Sequence, residues 1–146
     1  MDIQAALGIR QLGKIEAYQK RREEIWRRYD EAFASAPLDL SPLPEENTVH
    51  ERHLYVVRLR LDELKISRDG VVEQLHRRGI GTGIHYRALH LHSYYRETFG
   101  LRPEDFPHAT DYSERAFSLP LSAKLTDRDV EDVIAILMEV LEENRR

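Results

Sequence analysis

Residues 79–92 read Gly-Ile-Gly-Thr-Gly-Ile-His-Tyr-Arg-Ala-Leu-His-Leu-His, and they place three glycines, three histidines, a tyrosine and an arginine within one short stretch. Ile80, Thr82 and Ile84 alternate with Gly81, Gly83 and His85, so an extended chain here sends branched side chains one way and almost nothing the other. A face of glycine hydrogens is one that another group approaches closely. The stretch then delivers His85, Tyr86 and Arg87 where the chain turns, and these three are the candidate binding residues. Neutral imidazole and phenol suit hydroxyl groups, and a guanidinium suits an anionic oxygen group. Glycine pairs also mark bulges and bends, and histidines often sit at strand ends as surface groups. Residue type alone leaves both readings open.

Other chemistries fare worse. His85, His90 and His92 invite a metal, but their spacing matches no ligand set and the nearest carboxylate is Glu97. The glycines lack the lysine-serine ending of a phosphate loop, and they run from a helix into an extended segment, the reverse of the required order. Ser93 and Ser118 stand in no nucleophile elbow, which leaves a histidine no hydroxyl to activate.

The elements that must position this stretch follow from the rest of the 146 residues, a length that fits one domain. A formal charge of −4 with mixed signs argues against a nucleic-acid groove. There is no cysteine, no apolar run of membrane-spanning length and no signal-peptide pattern, so the expectation is a soluble cytoplasmic protein without membrane or nucleic-acid partners.

From residue 2 to about 35 no proline interrupts a helical pattern. Ala5, Ile9, Leu12, Ile15, Tyr18, Ile25, Tyr29 and Phe33 form one stripe, broken only by Arg22. Glu23 with Arg27 and Glu24 with Arg28 are spaced to pair on the other face. A continuous helix of that length spans roughly 50 Å, whereas a domain of this size is about 35–40 Å across. Its first turns are apolar or small on nearly every face, so the chain reads as a piece of something larger, or as a helix that dimerises.

Pro37, Pro42 and Pro44 make an extended linker. Residues 53–61 alternate with apolar groups on both sides and read as an inner strand. Ser67 caps a helix to residue 78 with Val71, Val72 and Leu75 inward, and Gly79 stops it, so that strand, helix and glycine-rich strand suggest a small βαβ-like unit. Further helices are expected over 93–99, 109–117 and beyond Thr126, whose Asp129 completes a cap, with a brief edge strand at 118–121. The fold class is α+β: a small, mainly antiparallel sheet with helices on one side and a long N-terminal helix. Residues 1–36 are that connecting helix and 48–146 the body.

Several of these segments together resemble a known family. Met1-Asp2-Ile3-Gln4-Ala5-Ala6-Leu7-Gly8 with Gln11-Leu12, then His53-Leu54-Tyr55-Val56-Val57, the run from Gly79 to Tyr86, Leu89-His90 with Tyr94-Tyr95-Arg96, and Ser118-Leu119-Pro120-Leu121 before Leu125-Thr126 are similar in order and spacing to the carboxy-terminal part of DegT/DnrJ-type sugar aminotransferases. Gly81 to Ala88 is most similar to enzymes that aminate UDP-4-keto-pentose. The resemblance implies a homodimer, a nucleotide-sugar substrate, and a pyridoxal phosphate cofactor in the full-length enzyme, held by an amino-terminal domain or subunit that brings the Schiff-base lysine; no cofactor is expected on this chain alone. Lys14, Lys20, Lys65 and Lys124 are its only lysines, and none lies in the family's lysine motif. The resemblance also places His85, then Tyr86 and Arg87, at the substrate, with Asp2 and Gln4 near the dimer-related cleft. By itself the chain is not expected to transaminate; a non-catalytic dimerisation or regulatory module is the alternative.

Overall fold

A computed structural model describes residues 1–146. Its sheet is built around β2 (Tyr55–Leu59), whose alternation is complete: Tyr55, Val57 and Leu59 are at most 1% exposed, while Val56 and Arg58 are half-buried on the reverse face. β1 (Leu38–Asp39) pairs with it through Leu38–Leu59, and β3 (Ala116–Leu119) through Tyr55–Leu119 and Val57–Phe117. Both pairings are antiparallel, in the order β1-β2-β3. The inner strand and the edge position of the segment before Pro120 are as the sequence indicates; β1, two residues among prolines, carries no periodicity to find.

Three long helices cover the buried face. α2 (Ile15–Phe33) contributes Ile25, Trp26, Tyr29 and Phe33, α3 (Arg68–Arg77) contributes Val71 and Leu75, and α6 (Asp127–Glu143) contributes Val130, Val133, Leu137, Val140 and Leu141. Trp26 and Tyr29 both meet the Tyr55 ring edge-on, at 4.8 and 4.9 Å between centroids. The two tyrosine hydroxyls are spent inside the core, Tyr29 donating to the Pro120 carbonyl and Tyr55 to Asp30, and burial pushes both phenols well above their ordinary range. The helix ends follow their caps: Ser67 Oγ accepts from the Gly70 amide, Thr126 and Asp129 form a reciprocal capping box, and Gly79 takes φ +84° after α3. α4 (Ser93–Phe99) and α5 (Pro107–Arg115) complete the chain, α5 entering through Pro107 two residues earlier than the sequence suggests.

Three expectations need correction. The long N-terminal helix is two: α1 (Asp2–Leu12) ends at Gly13, and α2 restarts after Lys14. Glycine, the poorest helix former after proline, accounts for the break. The Glu23–Arg27 and Glu24–Arg28 pairs do not form, because other partners win: tertiary ones for Glu23 and Arg28, and residues one turn away on α2 for Glu24 and Arg27. Arg28 reaches Asp127 at 2.9 Å and Glu131 at 3.2 Å, Glu23 meets Arg52, Glu24 meets Arg21, and Arg27 turns to Glu31. The βαβ-like unit is absent too: residues 80–86 form no strand of the sheet and touch it through a single antiparallel bridge, Gly83 to Ser118. Only Ile80 of the alternating set is buried, while Ile84 is 38% exposed, so no second apolar face holds an extended ladder together.

Candidate functional site

The segment after α3 is pinned at three points. At its start the Thr82 amide donates to His76 Nε2 at 3.2 Å. Gly83 and Ser118 then exchange both backbone hydrogen bonds, at 3.1 and 2.7 Å, and the Ser118 hydroxyl donates to the same Gly83 carbonyl. At the far end the Ala88 amide donates to Ser113 Oγ on α5 at 2.9 Å. Ser113 and Ser118 are each 5% exposed, so these anchors are shielded from water. Between them His85, Tyr86 and Arg87 form the apex of a tethered loop. The His85–Tyr86 peptide bond is cis.

His85 folds back over its own segment. A Cβ on Gly83 would lie 2.5 Å from His85 Nε2 and 3.0 Å from Ser118 Oγ, so only glycine leaves room for the imidazole. That is the close approach expected of the glycine face, made by the chain's own histidine and confined to Gly83; Gly81 has nothing near it. The His85 ring meets Tyr86 edge-on at 5.2 Å, and its Nδ1 is buried with no hydrogen-bond partner. Few buried ring nitrogens go without a partner.

The other two candidates diverge from it. Tyr86 is 78% exposed and makes no side-chain hydrogen bond in this structure. Arg87 is exposed and turns toward a hollow of about 610 Å³ shared with Arg96, Arg102, Glu97 and Glu114, which His85 does not line. The structure therefore keeps the three adjacent in sequence but does not point them into one cavity.

The histidines of the metal reading are dispersed in role. His90 is 5% exposed, and its Nε2 lies 2.8 Å from the Thr110 hydroxyl, which itself donates to the Pro103 carbonyl. The Thr110 oxygen therefore accepts from His90 Nε2–H, and Phe106 packs on the ring at 4.9 Å. His92 is exposed. No three histidine or carboxylate side chains are grouped to hold a metal ion.

Sequence reasoning missed Ser113 altogether and saw Ser118 as an unsuitable nucleophile at the start of an edge strand, not as an anchor. Their function is to hold the loop, and a small polar residue on a helix or strand gives no signal of that until its partner is known. The residues present do not fit pyridoxal phosphate by themselves. A Schiff-base amine needs a site shielded from water, and all four lysines are exposed. Lys124 lines a hollow with Tyr18, Arg22, Glu51 and His53, which His85 does not share.

Comparison with known proteins agrees with this arrangement. The model of the DegT/DnrJ/EryC1/StrS aminotransferase family matches residues 1–138. An uncharacterised Methanocaldococcus jannaschii protein, MJ1066, is 44% identical over 144 residues, covering 99% of this chain and 37% of its own. The spore coat polysaccharide biosynthesis protein SpsC of Bacillus subtilis is 38% identical over 141 residues, covering 96% of this chain and 36% of its own. Among solved structures, Spr1654 of Streptococcus pneumoniae in its PLP form, described as a sugar aminotransferase, superposes with a TM-score of 0.86 at 31% identity, over 98% of this chain and 36% of that one. The chain thus spans little more than a third of the relatives it matches.

Proposed function

The chain belongs to the DegT/DnrJ/EryC1/StrS aminotransferase family, and from that premise we propose that it is the carboxy-terminal, substrate-recognising domain of a pyridoxal-phosphate-dependent sugar-nucleotide aminotransferase. Residues 48–146 are the body of that domain and 1–36 connect it to the amino-terminal part, which brings the cofactor and its lysine. The observation that carries the reading is the tethered loop: three anchors hold His85 over Gly83 with Nδ1 buried and unpartnered. An imidazole fixed before substrate arrives orients a sugar hydroxyl or carbonyl without the entropy cost of ordering a free side chain. Tyr86 and Arg87, unoccupied by partners in this chain, add a phenol for sugar hydroxyls and a guanidinium for the diphosphate.

The substrate proposed is a UDP-4-keto-pentose, aminated by transfer from an amino acid within a cytoplasmic homodimer. The test is reconstitution. With an amino-terminal family partner added, amine should pass to the keto-sugar, and the isolated chain should show no turnover. His85→Ala should lower kcat/KM about tenfold, the value of one hydrogen bond. Gly83→Ala should act in the same direction by displacing the imidazole. Turnover by the chain alone, or indifference to both variants, would refute the assignment.

A second reading draws on the exposure of α1: a non-catalytic dimerisation or regulatory module. It requires a stable symmetric dimer without affinity for nucleotide sugars, which light scattering and titration with UDP-sugars would show.

A further inference from the structure

The bond that starts the tethered loop dictates the charge of a histidine outside it. His76 stands exposed in the last turn of α3, and both polar groups of Thr82 converge on its Nε2, the amide at 3.2 Å and the hydroxyl at 3.0 Å. A backbone amide only donates, so Nε2 accepts and carries no proton. The ring is therefore neutral with its hydrogen on Nδ1, the reverse of the form that prevails in free histidine. Little else restrains this stretch of backbone. The Ile80 amide is the last to reach an α3 carbonyl, that of Leu75 at 2.9 Å, and Gly83 is the next residue held, by Ser118. Gly81 has only open space where a side chain would stand. Between Ile80 and Gly83 the chain is fixed by His76, immediately before the glycine on which the His85 imidazole lies.

The acidic groups of the neighbourhood are committed elsewhere. On α3 itself, Glu73 holds Arg77 at 2.5 Å and Asp69 holds Arg68 at 2.6 Å. α6 and β3 pack against α3. From α6, Glu139 and Glu143 are drawn to Arg78, Asp129 bonds Thr126, and Asp132 lines a hollow with Arg78 and Gly81. β3 has no charged residue.

We propose that His76 is a positioning residue, whose neutral form latches the start of the substrate loop and whose protonation releases it. A proton on Nε2 turns the acceptor into a donor. The Thr82 hydroxyl can rotate to accept from it, but the amide cannot, and is left facing an N–H. Acid thus frees the backbone beside Gly83, and order at His85 falls as His76 gains charge, whatever the charge of His85 itself. The proposal rests on the sugar-aminotransferase reading only in calling the loop substrate-binding; the latch belongs to this chain.

The experiment is nitrogen-15 magnetic resonance on the 146-residue chain, titrated between about pH 8 and pH 5, where imidazoles ordinarily change charge. At the upper end the His76 ring should show Nδ1 protonated and Nε2 bare. As pH falls, the Thr82, Gly83 and His85 amide signals should move with the midpoint of the His76 ring. Exchange of the Thr82 amide, corrected for the intrinsic effect of pH, should quicken about tenfold, as for loss of one hydrogen bond. His76→Gln sets a carbonyl oxygen near the place of Nε2 and cannot titrate, so it should keep Thr82 protected and abolish the shared transition. His76→Ala should exchange at the faster rate at every pH, and His85→Gln should keep the transition at Thr82. A proton on Nε2 in the neutral ring, a Thr82 transition that persists in His76→Gln or vanishes in His85→Gln, or full Thr82 protection in His76→Ala would each overturn the proposal. Neither substrate nor cofactor is needed. Failed amine transfer on reconstitution counts against the transferase reading alone, and a missing transition here counts against the latch alone.

Discussion

α1 and α6 are both rich in aliphatic residues, yet one is wholly exposed and the other supplies five buried side chains to the core. In α6, Val130, Val133, Leu137, Val140 and Leu141 fall within about 120° of arc at 3.6 residues per turn, so one neighbouring surface is enough to cover them. α3 and α2 provide it, and Arg21 and Arg28 of α2 also clamp the first turn through Asp127, both at 2.9 Å. In α1 a similar apolar content is split between two faces, and no single surface of this chain satisfies both. Apolar content marks a helix for burial; its arrangement decides how many walls the burial needs.

The largest test of that contrast is a pair of truncations. Leu137 is fully buried, and Leu137→Ala should cost about 2–5 kcal/mol in urea unfolding of the isolated chain, the usual range for emptying a core leucine site. Leu7→Ala removes the same atoms from α1 and should stay within about 0.5 kcal/mol. Comparable losses at both positions would show that α1 already packs on this chain.

A smaller effect separates the helix starts. Thr126→Ala removes the acceptor of the Asp129 amide and one half of the capping box, which should cost about 1 kcal/mol. α1 has no equivalent side-chain cap, so substitution of Met1 should be silent in the same unfolding measurement.

The same helix start carries a pH signature. Hydrogen bonds from the Thr126 hydroxyl and amide hold the Asp129 carboxyl below its ordinary 3.8, and the Arg21 guanidinium does the same for Asp127. Both pKa values are depressed in the folded state, so their contribution is fully present above about 3.8 and is lost as pH falls through the lower folded values. Thermal unfolding followed down from pH 6 should therefore show a decline beginning near pH 4. Asp129→Asn and Asp127→Asn should flatten it, since an amide does not titrate. An unchanged profile in the double variant would mean that other carboxylates dominate; Asp39, held low chiefly by its hydrogen bond from Arg60, is the next to test.

How much of this was legible beforehand depended on whether the signal was local. The caps at Ser67 and Thr126, the stop at Gly79 and the buried stripe of α6 are written in residues a few positions apart, and the structure reproduces them. The alternation of β2 was equally plain. The salt-bridge pattern on α2 was not, because Arg21 and Arg28 are drawn to Asp127, about a hundred residues away. The site divides along the same line. His85 stood out by composition, but Ser113 and Ser118, which tether its loop, have nothing in their own neighbourhoods to announce the task. The glycine stretch misled because its alternation matched a strand while its backbone had only Ser118 to pair with.

The smallest expected effect is the most specific. Removing residues 1–13 deletes an entire helix, and helices are ordinarily worth several kcal/mol through their packed faces. α1 packs on nothing here: the first half-buried residue of the chain is Gln19, and the first core residue is Ile25. The truncated chain should therefore unfold at the same urea midpoint and with the same slope as the full chain, since no buried surface is lost. Its far-ultraviolet circular dichroism should change only by whatever helicity α1 retains in water, which an isolated segment of 11 residues keeps small. A lowered midpoint would place a hidden contact between α1 and the body. A lowered slope would mean that α1 buries surface in the free chain, and either result would erase the distinction between a helix that builds this fold and one that waits for another.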